Sequence, residues 1–171
     1  YGAIGSVIGH EMTHGFDDSG RQFDKDGNLR DWWTAADADG FNKRANVLKE
    51  YFNNIEVAPG VHANGEFTLG ENLADYGGIT VAYTAYKNFG TQTNTVENLT
   101  PDMRFFIAYA GVWAQNIRDA DALRLTKMDE HSLARWRVNG ILPHIDAWYD
   151  AFGITKTDKL YLAPEQRIKL W

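Results

Sequence analysis

The 171-residue sequence has no cysteine, only four prolines and no long hydrophobic run. Without cysteine the chain can form no disulfide, no zinc–thiolate site and no thiol nucleophile. Its clean apolar runs are far shorter than the ~20 residues that a membrane-spanning helix requires. We therefore expect this segment to make no membrane contact of its own.

Positive charge is also in short supply, because 17 Lys and Arg stand against 23 Asp and Glu and give a formal net charge of −6. A net negative charge gives no electrostatic attraction for the phosphates of nucleic acid, so we expect no nucleic-acid partner. Apolar residues make up 44% of the chain, which is enough for a hydrophobic core at this length. These properties predict one folded domain over residues 1–171.

The beginning of the sequence is unusual for a complete protein. It opens on Tyr1 rather than methionine and shows neither a basic and apolar leader nor a cleavage-site pattern. We therefore expect the chain to be a piece of a longer protein.

Apolar spacing, caps and breakers predict a mainly α-helical chain with a short β-hairpin. Helices are expected at residues 2–14, 34–53, 70–88, 101–116 and 144–152. Two of them begin at a threonine cap, Thr34 and Thr100, and the second cap is followed by Pro101. Residues 55–57 and 66–68 are expected to pair as the hairpin. Loop or irregular structure is expected at 17–33 and 119–143, and a last turn at 164–168.

Three glycines, Gly2, Gly5 and Gly9, lie on one face of the first expected helix. Each is unfavourable in a helix interior by ~1 kcal/mol relative to alanine. Their shared face, away from the histidines that follow, predicts a crowded crossing with another helix.

The segment from His10 to His14 reads H-E-x-x-H. Residues four apart on a helix share a face, so the two imidazoles can reach one metal ion. This is the spacing of two zinc ligands, with Glu11 placed to face an open coordination position. The alternative is that both histidines are hydrogen-bonded structural residues of a buried helix. A zinc site also needs a third protein ligand, which the motif does not supply.

Two carboxylates, Glu71 and Asp75, are four apart at the start of the third expected helix. One can bind the metal, and the other can accept a hydrogen bond from the outer ring nitrogen of a zinc-bound histidine. The alternative is a solvated acidic pair near a helix N-terminus, where negative charge is favoured. The spacing alone does not decide which carboxylate would be the ligand.

Four long stretches resemble the C-terminal catalytic part of the neprilysin and endothelin-converting enzyme family of zinc endopeptidases. They begin at Val7, Gly65, Phe105 and His131 and read VIGHEMTHGFDDSGRQFDKDGNLRDWW, GEFTLGENLADYGGITVAYTAY, FFIAYAGVW and HSLARWRVNGILPHIDAWYDAF. The closing PEQRIKLW is similar to the family's tail, which also ends in tryptophan. The resemblance spans nearly the whole chain and implies the thermolysin-like helical half of a zinc-metallopeptidase catalytic domain.

The resemblance also implies roles for ten residues of this sequence. The implied zinc ligands are His10, His14 and Glu71. The implied catalytic residues are Glu11 as general base, His131 as stabiliser of the oxyanion, and Asp75 as the carboxylate that orients His10. The implied substrate-binding residues are Arg137, which would hold the carbonyl after the scissile bond, and Val7, Val112 and Trp113, which would line the pocket for the side chain after that bond.

Without the resemblance, His131 would be interpreted as a surface or helix-capping histidine, and Arg137 as a surface or salt-bridged arginine. Asp75 lies near a helix start, so we expect its replacement to weaken zinc binding more than it weakens the fold.

We therefore expect a zinc-dependent endopeptidase, with one Zn²⁺ per chain, that hydrolyses oligopeptides on the amino side of hydrophobic residues. Glu11 would assist the attack of a zinc-bound water. Two alternatives stay open, a zinc- or peptide-binding module without catalysis and an exopeptidase with the same zinc core. The expected partners are peptide substrates and the N-terminal part of the parent chain.

The resemblance also bears on the source and compartment of the protein. Vertebrate members of the family have disulfides, and Ile168 stands where they have a cysteine near the C-terminus. This favours a bacterial member and leaves the redox compartment open. For such a member, an extracytoplasmic location, periplasmic or at the cell surface, is favoured over the cytoplasm.

Overall fold

The secondary structure is almost entirely helical in a computed structural model that describes residues 1–90 and 93–170. The helices are α1 (Ile4–Thr13), α2 (Ala35–Asn53), α3 (Leu69–Phe89), α4 (Pro101–Val112), α5 (Asp119–Met128), α6 (Ala134–Asn139) and α7 (Asp146–Phe152). Strands β1 (Glu56–Ala58) and β2 (Val61–His62) form an antiparallel hairpin between α2 and α3. Within the described ranges, no helix is long and apolar enough to span a membrane. The predicted fold class is confirmed, while Trp171 of the predicted tail lies outside the described residues.

Two helices begin at the predicted threonine caps. The hydroxyl oxygen of Thr34 accepts a hydrogen bond from the Asp37 N–H at 3.1 Å, and the Asp37 carboxylate accepts one from the Thr34 N–H at 3.1 Å. The hydroxyl oxygen of Thr100 accepts from the Met103 N–H at 3.2 Å, with Pro101 in the first helical position. These bonds satisfy backbone donors that the first helical turn leaves without partners.

Three predicted boundaries differ from the structure. The second strand is Val61–His62 rather than 66–68, because the chain reverses at Gly60, whose positive φ of 72° favours glycine. Residues 119–143 contain α5 and α6 where irregular structure was predicted. Helix α6 has only six residues, which is too short to show an apolar period, and α5 has ten residues, none of them fully buried. Helix α4 ends at Val112, four residues before the predicted end at 116.

Helices α1 and α3 cross so closely that glycine is required at the contact. A Cβ atom added to Gly9 would lie 2.7 Å from the carbonyl oxygen of Gly78, and one added to Gly78 would lie 2.6 Å from the backbone nitrogen of His10. The predicted crowding is therefore found at Gly9. It is also found at Gly2, just before the helix, where an added Cβ would clash with the backbone carbonyl of Phe105 in α4, and it is absent at Gly5, whose added Cβ would meet Ala82 at an ordinary 3.7 Å. This crossing brings His10 of α1, and His14 directly after the helix, next to the acidic end of α3.

The hydrophobic core packs against the other side of α3. Its most buried side chains come from α2, α3, α4, the turn after α6 and the C-terminal segment, and include Phe41, Leu48, Phe52, Leu73, Ile79, Phe106, Ile141, Ile168 and Leu170. Fully burying one such side chain stabilises a fold by about 1.5–3 kcal/mol. The hydroxyl of Tyr76 also donates to the carbonyl oxygen of Ile168 at 3.1 Å. Helix α3 is thus fixed between the core and α1.

Candidate metal centre

Potential ligand atoms of three residues, His10, His14 and Glu71, converge near the crossing of α1 and α3. Nε2 of His10 lies 3.0 Å from Nε2 of His14 and 3.3 Å from Oε2 of Glu71. Nε2 of His14 lies 3.5 Å from Oε1 of Glu71. Ligand atoms around a tetrahedral Zn²⁺ with bonds of ~2.0–2.1 Å are about 3.3 Å apart. The three separations therefore match one zinc coordination sphere.

The outer ring nitrogens of both histidines face carboxylates. Nδ1 of His10 donates to Asp75 at 2.8 Å, and Nδ1 of His14 donates to Asp17 at 2.7 Å. A carboxylate only accepts, so each bond keeps a proton on Nδ1 and turns the lone pair of a neutral ring to Nε2. Two such lone pairs 3.0 Å apart repel each other unless a cation lies between them. This donor set, two imidazoles and a carboxylate, fits Zn²⁺.

The electrostatics of this cluster also favour a cation. Burial lowers the pKa of His10, but the carboxylates of Asp75 and Glu71 outweigh that effect and raise the pKa to about 9. Burial raises the pKa of Glu71, but its hydrogen bond to His10 and the nearby His131 and His14 hold the pKa below its usual range. The cluster therefore favours a positive charge next to the ionised carboxylate of Glu71. A protonated imidazole or a bound metal ion can supply that charge.

His131 reaches the cluster from the segment between α5 and α6. Its Nε2 lies 3.1 Å from Oε2 of Glu71, and its Nδ1 lies 2.8 Å from Oδ1 of Asp129. The side chain is 43% exposed, so the ring is open to a ligand on the solvent side. Its position beside the cluster allows an N–H donor to meet a group bound there.

A pocket of about 110 Å³ opens beside the cluster. Its polar lining includes His10, Glu11, Asp75, Tyr109, His131 and Arg137. Apolar lining comes from Val7, Val112 and Trp113. All ten residues selected from the sequence thus lie either in the cluster or in the walls of this pocket.

The comparisons with known proteins agree with this geometry. Peptidase family M13 matches the chain over residues 1–168. The chain belongs to this family. It is 42% identical over 179 aligned residues to neprilysin of Mus musculus, covering 100% of this chain and 24% of that protein. It is 39% identical over 171 residues to the neutral endopeptidase of Lactococcus lactis subsp. cremoris, covering 100% of this chain and 26% of that protein.

A solved structure of the same family gives the same fold. The zinc metalloprotease of Mycobacterium tuberculosis, in complex with an inhibitor, matches with a TM-score of 0.95 at 39% identity, over 100% of this chain and 27% of that one. The M13 chain therefore spans about a quarter of the length of the relatives that it matches. The family resemblance inferred from the sequence is confirmed.

Arg137 has a buried partner in this M13 chain that the sequence did not reveal. Its Nε donates to Oδ2 of Asp75 at 2.7 Å and its Nη2 donates to Oδ1 at 2.8 Å. The guanidinium carbon also lies 3.9 Å from the ring centroid of Trp113. A bidentate ion pair of this kind is strong and fixes the orientation of the guanidinium group. Among the described residues Nη1 makes no hydrogen bond, which leaves that nitrogen for a ligand in the pocket.

This pair argues against the expectation that replacing Asp75 weakens zinc binding more than it weakens the fold. Asp75 is 3% exposed and Arg137 is 7% exposed. We expect Asp75→Ala to lower the free energy of unfolding by about 3–5 kcal/mol, because it leaves a buried guanidinium unpaired. Denaturant unfolding measures the change. The control is Asp121→Ala, which removes the 3.7 Å ion pair with Arg124, a pair in which both side chains are more than half exposed, and should cost about 1 kcal/mol or less. Equal losses in both variants would contradict this account.

Asp17 is a site residue that the sequence analysis of the M13 chain missed. It is 5% exposed, and its Oδ1 accepts the N–H groups of Ser19 at 2.9 Å and Gly20 at 2.7 Å. Its Oδ2 accepts from His14. The segment was predicted only as loop, yet a carboxylate three residues after the second histidine of the motif could have indicated this contact.

Proposed function

We propose that this chain is the catalytic domain, over residues 1–171, of a zinc-dependent endopeptidase. The observation that carries the proposal is the cluster of His10, His14 and Glu71, whose candidate ligand atoms lie 3.0–3.5 Å apart beside a pocket lined by Glu11 and His131. Relatives named neutral endopeptidase and zinc metalloprotease support it.

His10 and His14 would hold zinc through Nε2, and Glu71 would hold it through a carboxylate oxygen. A bound zinc ion supplies Lewis-acid chemistry, polarising a carbonyl and lowering the pKa of water. Asp75 and Asp17 keep the protons on the outer nitrogens, so that both inner nitrogens are available as ligands.

Glu11 acts as the general base. It follows the first ligand directly, is exposed, and lines the pocket together with His10 and His131. Its carboxylate accepts a proton from the attacking water and delivers that proton to the leaving amine. General acid–base catalysis of this kind is worth roughly 10²–10⁴-fold in rate.

His131 and Arg137, which also line the pocket, bind the peptide. An N–H of His131 donates to the oxygen of the scissile carbonyl as negative charge develops there, which for one donor contributes about 3–4 kcal/mol. Nη1 of Arg137 donates to the next carbonyl along the peptide. Its other donors are held by Asp75, so the guanidinium is already oriented before the substrate binds.

The apolar part of the pocket selects the residue after the cleaved bond. Val7, Val112 and Trp113 line it, and its volume of about 110 Å³ suits one side chain. Burial of a hydrophobic side chain there favours cleavage on the amino side of hydrophobic residues.

The solvent face of α1 supports a further partner, the N-terminal part of a longer chain. Its exposed residues Ile4, Ile8 and Met12 are 66%, 55% and 63% exposed and lie four apart along the helix. The buried residues of α1 are instead small or polar. An apolar stripe of this kind on a helix fits a surface that another part of the protein covers.

Peptide hydrolysis with controlled metal content tests the proposed function. The substrate is an internally quenched peptide, blocked at both ends, with one central leucine and an otherwise polar sequence. Cleavage before the leucine, loss of activity with a chelator and recovery with Zn²⁺ are expected. Cleavage only of peptides with a free terminus would support an exopeptidase, and binding of the peptide without cleavage would support a non-catalytic module.

Replacement of Asp17 by asparagine should weaken zinc binding by roughly 10–100-fold. The amide oxygen of Asn would stay with the N–H groups of Ser19 and Gly20, so the amide nitrogen would face His14 and donate to Nδ1. The proton of His14 would then move to Nε2, where zinc must bind. Competition with a chromogenic chelator measures the affinity.

The matched control for this change is Asp18→Asn, which removes the same charge one residue away without touching either histidine. We expect its zinc affinity to equal that of the unchanged protein. Equal affinity in the Asp17 and Asp18 variants would show that the contact to His14 does not tune the metal ligand.

A further inference from the structure

Asn72 is an amide buried in the apolar part of α3, directly after Glu71. It is 1% exposed, and the next two residues of the helix, Leu73 and Ala74, are completely buried. Burying an amide is unfavourable unless its donor and acceptor both find partners. Asn72 belongs neither to the ligand cluster nor to the walls of the pocket.

The partners of Asn72 fix which of its amide atoms donates a hydrogen bond and which accepts one. The Thr68 hydroxyl donates to the carbonyl oxygen of Asn64 at 3.0 Å, so its oxygen accepts from Nδ2 of Asn72 at 2.9 Å. Oδ1 of Asn72 is therefore turned toward Ser132, whose hydroxyl donates to it at 2.8 Å. Ser132 is 9% exposed, so this bond lies in a region of low dielectric, where it is strong and where its loss leaves a buried acceptor unpaired.

This bond lies one residue away from the contact between His131 and the cluster. Oε2 of Glu71 lies 3.1 Å from Nε2 of the partly exposed His131. Asn72 accepts the hydrogen bond of the buried Ser132. Residues 129–133 form neither helix nor strand, so no regular backbone ladder fixes them. Two contacts at neighbouring positions define both the distance and the rotation of the segment relative to α3.

We infer that Ser132 is a positioning residue whose hydrogen bond to Asn72 holds His131 against the metal-ligand cluster. This inference rests on the proposed function, since it assigns the bond to the donor that meets the developing oxyanion. A misplacement of ~1 Å can lower a rate on the order of 100-fold. The Ser132 hydroxyl binds Asn72 and none of the proposed zinc ligands His10, His14 and Glu71, so we expect the effect to fall on kcat rather than on metal affinity.

The experiment compares variants of the zinc-loaded protein at its full natural length. Ser132→Ala should lower kcat by roughly 10–100-fold, with KM and zinc affinity within about threefold of the unchanged protein. Ser132→Thr keeps the hydroxyl and should recover most of kcat. Ser132→Cys fills the same space with a weak donor, should lower kcat by an intermediate factor, and replaces the alanine variant if that one does not fold.

A double-substitution cycle separates positioning from a general structural effect. Because Ser132 acts through His131, adding Ser132→Ala to His131→Ala should change kcat by no more than about twofold. An unchanged kcat in Ser132→Ala, or a further tenfold loss in the double variant, would overturn the positioning role.

Relaxation of the His131 ring, measured by NMR with ¹³C at Cε1, gives a readout that does not depend on catalysis. The ring should be more mobile in Ser132→Ala than in the unchanged protein, and equal mobility would overturn the inference. If the unchanged protein cleaves no peptide but the ring loses order in Ser132→Ala, the proposed function fails and the positioning contact stands.

Discussion

Glu11→Gln should remove hydrolysis almost completely while the protein keeps its fold and its zinc. The amide has nearly the same shape as the carboxylate but cannot accept the proton of the attacking water. We expect kcat to fall by roughly 10²–10⁴-fold, the range for loss of a general base. Because the side chain is exposed, the free energy of unfolding should change by less than ~0.5 kcal/mol. Steady-state kinetics and metal analysis of the same preparation measure both effects.

The control for this prediction is Glu50→Gln, which removes an equal charge from the exposed surface of α2, outside the pocket. Its activity should equal that of the unchanged protein. An active Glu11→Gln variant would remove Glu11 from the mechanism, and loss of zinc in that variant would show a role in metal binding instead.

Gly78→Ala should separate the two helices that carry the ligands. The added Cβ would lie 2.6 Å from the backbone of both Ser6 and His10, so α1 has to move away from α3. Overpacking of this kind costs about 1–3 kcal/mol of stability. A zinc site tolerates ligand displacements of only about 0.2 Å, so we expect zinc affinity to fall by at least about tenfold. Denaturant unfolding and chelator competition give the two values.

Gly5→Ala is the matched control, because it adds the same methyl group to the same helix pair. There the new atom would meet Ala82 at 3.7 Å, an ordinary contact. The substitution should leave zinc affinity unchanged and raise stability by up to ~1 kcal/mol through helix propensity. If Gly78→Ala bound zinc as tightly as Gly5→Ala, the close crossing would not be what aligns the ligands.

The part of the site that lies within one helix could be predicted from the sequence. The spacing of His10 and His14 places both rings on one face, and Glu71 and Asp75 share a face for the same reason. Spacing could not decide which carboxylate faces the metal side, since that depends on how α3 is rotated against α1. In the structure, Glu71 lies beside the Nε2 atoms and Asp75 beside Nδ1 of His10.

Contacts between distant parts of the chain could not be predicted in this way. Arg137 and Asp75 are 62 residues apart, and Ser132 and Asn72 are 60 apart. No local period marks such pairs, because the packing of α6 and the segment before it against α3 creates them. For Arg137, the sequence supplied only a role implied by resemblance, and the partner that orients it came from the structure.

X-ray absorption at the zinc edge, combined with metal analysis of the purified protein, tests the central claim most directly. The account predicts one zinc ion per chain, with two imidazole nitrogens and at least one carboxylate oxygen at about 2.0–2.2 Å, and loss of that signal in His14→Ala. A protein that retains no zinc after loading, or a zinc sphere without imidazole that survives His14→Ala, would contradict it.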